Sequence, residues 1–192
     1  MSSERKTHLT PEEYLALERK AGIRSEYLDG DMVAMSGGTR EHNLIVGNIV
    51  RELGIQLKDR PCEIYPSDMR VKVSATGLYT YPDITMVCGD PQFEDARRDT
   101  LLNPVLIVEV LSESTESYDR GAKFAHYRKV PSVIEYVLVS QRQYSIEQYA
   151  RQSNGPWLRS EVRGTKGKLD LPSIQCSIEL AEIYERVEIR VI

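Results

Sequence analysis

Residues 105–111 read Val105-Leu106-Ile107-Val108-Glu109-Val110-Leu111. An apolar run without alternation, interrupted by one acid, is the pattern of a strand buried on both faces at the centre of a sheet. An ionised carboxylate in such surroundings is costly unless a cation, hydrogen bonds or a metal compensates it. Glu109 therefore marks both the core and a place where something unusual is held.

Working outward, residues 117–130 predict a helix, with Tyr118, Ala122, Ala125 and Tyr127 as its buried positions and Pro131 as its stop. Residues 133–139 return to strand. Upstream, residues 61–65, 69–73 and 82–87 read as strands, the middle one alternating Met69, Val71 and Val73 against Arg70 and Lys72. Ala75-Thr76-Gly77 is the expected turn between the last two. Ile45, Val46, Ile49, Val50, Leu53 and Leu57 recur at helical spacing and predict a core helix. Ahead of it, Asp29-Gly30 centres a hairpin, and Thr10-Pro11-Glu12-Glu13 opens a capped helix running to about Lys20. Residues 144–149, 157–162 and 169–171 are weaker strands, and residues 177–184 predict a closing helix. The expected fold is α/β (α+β): a mixed central sheet flanked by helices, with an N-terminal helix and hairpin and a β-rich C-terminal tail, in one domain over residues 1–192.

The chain has 192 residues, 41% of them hydrophobic and 28% charged, enough for one sizeable core. Twenty-five Lys and Arg against 29 Asp and Glu give a net charge of −4, which excludes binding of polyanions by overall charge and leaves only local basic patches. Cys62, Cys88 and Cys176 are odd in number and far apart, arguing against a disulfide framework and a zinc site and for a reducing cytoplasm. No apolar run approaches the ~20 residues that span a bilayer, and no secretory signal opens the chain.

Asp83 follows Pro82 where a strand is about to enter the core. Two carboxylates on neighbouring strands repel, and a divalent cation between them removes the repulsion. The plainer reading has Asp83 capping a turn and Glu109 paired with a buried Arg or Lys. Lys123 lies one turn after Asp119 on the helix that follows the Glu109 strand; it either folds back to the sheet or makes an i,i+4 surface pair. His42, in the first turn of the core helix, is placed to reach a phosphate or to face solvent. Arg120 is the best-placed cation for a phosphate, whereas Arg97-Arg98 and Arg128-Lys129 read as solvated surface. Asp68 heads a strand as a further acid or a turn cap. His8 and His126 attract no role.

Thr10-Pro11-Glu12-Glu13-Tyr14, Glu26-Tyr27-Leu28-Asp29-Gly30, His42-Asn43, Tyr81-Pro82-Asp83, Val108-Glu109-Val110-Leu111-Ser112 and Tyr118-Asp119-Arg120-Gly121-Ala122-Lys123 occur in this order. The set resembles the Uma-type restriction endonuclease family, formerly a domain of unknown function, within the PD-(D/E)xK nuclease superfamily, over about residues 9–151. The resemblance implies a restriction endonuclease-like core and a DNA substrate. It implies Mg2+, with Mn2+ as substitute, on Asp83, Glu109 and the Val110 backbone carbonyl. It also implies Lys123 orienting or activating the attacking water, and Glu26 as an added acid from the hairpin. Leu111 stands where the superfamily motif has lysine, and the resemblance implies that the lysine has migrated to Lys123. The alternatives are a nuclease fold kept as a nucleic-acid or protein binding module, or a scaffold whose acids are structural. Val187, Ile189, Val191 and Ile192 alternate with charged residues and suggest an edge strand for a homodimer.

Overall fold

The computed structural model describes residues 8–189. Helix α1 (Pro11–Glu18) starts as its capping box requires: the Thr10 N–H donates to Glu13 Oε2 at 2.8 Å and the Glu13 N–H to Thr10 Oγ1 at 3.2 Å. Strands β1 (Ser25–Leu28) and β2 (Asp31–Ala34) pair around Asp29 (φ 49°) and Gly30 (φ 88°), the two left-handed positions of a tight hairpin turn. Helix α2 (Arg40–Leu57) is capped by Thr39, whose hydroxyl accepts the His42 N–H at 3.1 Å. The remaining strands are β3 (Cys62–Pro66), β4 (Arg70–Val73), β5 (Leu78–Thr80), β6 (Ile84–Cys88), β7 (Thr100–Leu101), β8 (Leu106–Leu111), β9 (Glu135–Ser140), β10 (Ser145–Arg151), β11 (Trp157–Arg163), β12 (Lys168–Leu171) and β13 (Cys176–Glu179).

A six-stranded sheet runs β11-β10-β9-β8-β6-β3, a five-stranded sheet β2-β1-β5-β4-β7, and β12 pairs with β13. The first is mixed, since β8 and β9 are parallel and its other pairs antiparallel. Strand β8 is buried along its whole length near the middle of the sheet, as its composition predicts. Its pleat sorts the side chains. Leu106, Val108 and Val110 join Ile45, Ile49 and Leu53 of α2, whereas Ile107 and Leu111 join Tyr127, Tyr136, Val73 and Leu78. Glu109 shares the face of Ile107 and Leu111.

Several expectations are corrected. The turn at residues 75–77 leads to β5, which pairs with β4, and not directly to the strand after Pro82. Proline has no N–H to extend a ladder, and across Tyr81-Pro82 the chain passes from the five-stranded sheet to β6 in the six-stranded one. The helix after β8 is not uniform: one α turn (α3, Glu116–Tyr118), a π-helical segment (Asp119–Lys123) and a second α turn (α4, Phe124–Tyr127) follow one another. The wider π pitch keeps residues four apart in line. Asp119, Lys123 and Tyr127 are therefore buried, whereas Ala122 and Ala125 face solvent and Tyr118 is half-buried. The closing segment is strand β13 followed by a single turn, α5 (Leu180–Ile183). Val187 is buried and Ile189 packs against the core, in a segment that forms no strand in the single chain; Val191 and Ile192 lie outside the described residues. The cysteine reading is overturned for one pair: β3 and β6 set Cys62 directly opposite Cys88, and the two form a disulfide, leaving Cys176 free and buried. No helix among the described residues is long and apolar enough to cross a membrane.

Candidate active site

The register that pairs Ile84 with Val108 continues to Asp83 beside Glu109, on the face that carries Glu109. Their contacts interlock. The Val110 N–H donates to Asp83 Oδ2 at 2.7 Å, and the Asp83 N–H approaches Glu109 Oε2 at 3.4 Å. Asp83 Oδ1 lies 3.0 Å from His42 Nε2 at the first turn of α2. Gly38 makes room for that ring, since a Cβ there would come within 2.6 Å of His42 Nδ1. His42 Nδ1 is itself buried without a partner among the described residues.

On the other side of Glu109, the π segment delivers Lys123. Its Nζ lies 2.9 Å from Glu109 Oε1, 3.2 Å from Glu26 Oε1 and 3.6 Å from Asp119 Oδ1. Glu26 comes from β1, so the five-stranded sheet also reaches the cluster; its carboxylate accepts the Thr80 hydroxyl from β5. The Tyr127 hydroxyl donates to Glu109 Oε1 at 2.9 Å. Both plain readings of Lys123 are thus partly right: it keeps the i,i+4 contact with Asp119, but buried and shared with two further acids.

Four carboxylates, Asp83, Glu109, Glu26 and Asp119, face one lysine and one histidine. Burial pushes the Glu109 carboxyl up to about 8; Lys123 pulls it down, but Asp83 and Asp119 work with burial. Burial also raises Asp119, against the pull of Lys123. For Lys123, burial disfavours the ammonium, but Glu109, Glu26 and Asp119 together outweigh it and hold the group well above its ordinary value. The lysine is therefore fixed as a cation, and the acids retain a surplus of negative charge that a single proton on Glu109 only partly relieves.

Hard oxygen donors with surplus charge fit a cation such as Mg2+, which takes one or two carboxylates and completes its octahedron with water and substrate oxygens. Among the described residues no group of three or more His, Cys, Asp or Glu side chains is spaced to hold a metal. The fit is accordingly to a two-carboxylate site and not to a closed cage.

Of the expected site residues, Asp83, Glu109, Lys123, Glu26, Val110 and His42 come together. At Val110 the observed contact is through its N–H. Arg120 is not in the cluster: it pairs with Glu116 at 2.8 Å and with Glu147 on β10, which draws it along the outer side of the π segment. Asp68 is exposed and pairs with Arg24 at 3.5 Å. Thr80, Tyr127 and the buried role of Asp119 were not foreseen. The four-residue spacing of Asp119, Lys123 and Tyr127 is the one sequence signal that could have shown two of them.

A family model described as "Uma2: Putative restriction endonuclease" matches residues 11–181. Two proteins of Synechocystis sp. are similar along nearly their whole length. Uncharacterized protein sll1609 is 35% identical over 162 residues, 84% of this chain and 92% of the relative. Uncharacterized protein slr1290 is 38% identical over 178 residues, 92% of this chain and 91% of the relative. Among solved structures, one from Anabaena variabilis described as "a putative nuclease belonging to DUF820" superposes with a TM-score of 0.75 at 17% identity, covering 92% of this chain and 97% of that one. At that identity the likeness is one of fold, and it agrees with the α/β architecture expected from the sequence.

Proposed function

The chain belongs to the Uma2 family, and from that premise we propose that it is a metal-dependent endonuclease that hydrolyses DNA phosphodiester bonds at the Asp83, Glu109 and Lys123 cluster. Family and fold support nuclease function. The observation that carries the finer reading is the meeting of Asp83 and Glu109 across β6 and β8, with Lys123 2.9 Å from Glu109 on the far side. This is a PD-(D/E)xK-type arrangement in which a lysine from the π segment stands in for the strand position occupied by Leu111.

Asp83 and Glu109 would hold Mg2+, or Mn2+ in its place, with the Val110 carbonyl as a further oxygen. Bound there, the cation supplies polarisation of the phosphoryl oxygens and offsets the charge that accumulates during attack. The chain's own groups do the rest. Lys123 stays protonated, so it serves as a donor and a fixed positive charge toward the attacking water or a phosphoryl oxygen, not as a base. Glu26 and Asp119 hold its ammonium in place. His42 and the Val110 N–H each take one Asp83 oxygen and so fix the orientation of that carboxylate. We also propose that the enzyme works in the cytoplasm, where the Cys62–Cys88 bond would be open to reduction.

Incubation of purified protein with plasmid DNA and Mg2+ or Mn2+ is expected to give cleavage that a chelator abolishes. Asp83→Asn, Glu109→Gln and Lys123→Met should each lower the rate by about 100-fold or more. DNA binding without cleavage, or cleavage that persists in the chelator, overturns the reading.

A further inference from the structure

A cavity of about 260 Å³ is lined by Arg19, Arg24, Arg70, Arg97, Asp68, Asp99 and Tyr81. That is below the ~300–1,000 Å³ usual for small-molecule sites and suits a group the size of a phosphate with its water. Four guanidinium groups face two carboxylates there, the reverse of the charge balance a few residues away.

The arginines are not equally committed. Arg19 is spent on Asp99, at 2.8 Å through two nitrogens, and on Asp95 at 2.7 Å. Among the described residues Arg24 pairs with the exposed Asp68 alone, at 3.5 Å, and it lies 5.6 Å above the Tyr81 ring. The Arg97 guanidinium has no ion pair among the described residues, its backbone N–H alone contacting Asp95. Arg70 is the informative one. It is 98% buried, held by Thr100 Oγ1 at 2.9 Å and the Tyr81 hydroxyl at 2.8 Å. Its remaining terminal nitrogen stands 3.1 Å from Asp99 Oδ1 yet makes no hydrogen bond. That nitrogen is charge-paired with Asp99 but donates no hydrogen bond, and an anionic oxygen in the cavity would accept one. Glu18, buried behind Tyr81, spends Oε1 on the Tyr81 hydroxyl and the Ser25 N–H and is not part of the cavity wall.

The cavity is tied to the acidic cluster by the chain itself. Arg24 stands two residues before Glu26, and Tyr81 two residues before Asp83, a separation of about 7 Å in extended chain. The loop carrying Asp68 is bonded to the site as well, the Ser67 N–H donating to the Asp83 carbonyl at 2.9 Å. We propose that this cavity is a phosphate subsite, taking the backbone phosphate of DNA next to the bond that is cut, with Arg24, Arg70 and Arg97 as its positioning residues. It rests on the nuclease reading and adds a cationic hold on the strand to the single ammonium of the acidic cluster. Contacts of this kind position a strand without reading its bases.

The test is binding of a fluorescein-labelled DNA duplex by anisotropy, with Ca2+ in place of Mg2+ so that no turnover intervenes, across a range of salt. Arg24 and Arg97 are exposed, so Arg24→Ala and Arg97→Ala should fold; Arg163→Ala, at an exposed pair with Glu161 on β11, the edge strand farthest from β6 and β8, is the control. Each cavity variant should weaken binding several-fold and reduce the slope of log K against log salt by about 0.9, with the control unchanged. Inorganic phosphate should compete with DNA for the wild type and lose that effect in the Arg24→Ala, Arg97→Ala double variant. If DNA binds and the cavity variants match the control, this inference fails while the nuclease reading stands. If phosphate raises the melting temperature through the cavity but DNA binding ignores it, the cavity serves a free anion and the inference fails. If the wild type binds no DNA, both fail.

Discussion

At Glu109 two opposed demands meet on one side chain. Burial, reinforced by Asp83 and Asp119, favours the neutral acid and sets its pKa at about 8 against an ordinary 4.5, whereas a metal ligand must be ionised. In metal-free protein the folded state therefore binds more protons than the unfolded state between these values, and stability falls as pH rises through that window. The contribution is complete below about 4.5 and gone above about 8. A proton held ten times more tightly by the folded chain is worth about 1.4 kcal/mol, so a few kcal/mol are at stake. In chelator, the wild-type melting temperature should drop between about pH 5 and pH 8.5, and Glu109→Gln should flatten the curve and match or exceed the wild type at about pH 8.5. Parallel curves for the two proteins would show that Glu109 does not hold its proton in this way. This residue was legible in the sequence because a lone acid in an apolar strand has no ordinary explanation. Thr80 and Tyr127 were not, because a threonine in a strand and a tyrosine in a helix are ordinary core residues until their hydroxyls are seen on Glu26 and Glu109.

At the level of elements, the decisive piece is the π segment Asp119–Lys123. Uniform α-helix turns about 100° per residue, so a four-residue repeat drifts around the axis; the wider turn cancels the drift and keeps Asp119, Lys123 and Tyr127 on the sheet. The sequence shows a helix here but not its pitch, and the expected buried stripe was accordingly displaced onto Ala122 and Ala125. Strands β5 and β7 escaped for a related reason: three and two residues are too short for alternation to register. The hairpin and the start of α1, fixed by Asp-Gly and capping chemistry, were legible because their causes are local. Deleting the exposed Ala122 should restore α pitch and turn either Asp119 or Lys123 about 100° from the sheet. The expected result is lost cleavage with far-ultraviolet circular dichroism close to wild type. Retained cleavage would mean that the wider turn is not what delivers the lysine.

On the scale of the molecule, the cluster is a seam: Glu26 and Thr80 arrive from the five-stranded sheet, Asp83 and Glu109 from the six-stranded one, and Lys123 from the segment laid over both. A cation that offsets the surplus charge at this seam should hold the two sheets together as well as serve chemistry. Mg2+ at ~100 times its Kd would add about 2.7 kcal/mol by mass action, or about 5–10 °C in Tm for a chain of this length, and Asp83→Asn should abolish the gain. The Cys62–Cys88 disulfide closes β3 on β6 at the other end of the same strand, five residues or about 17 Å from Asp83. Its 26-residue separation implies about 3.5 kcal/mol from restriction of the unfolded chain. Sites that far apart with no shared partner contribute independently. Reduction should therefore lower Tm while leaving the Mg2+ increment intact, and thermal denaturation in the four combinations of reductant and metal measures both. If reduction removes the metal increment too, the edge strand and the seam unfold as one unit, and the metal's hold on the sheets depends on the disulfide.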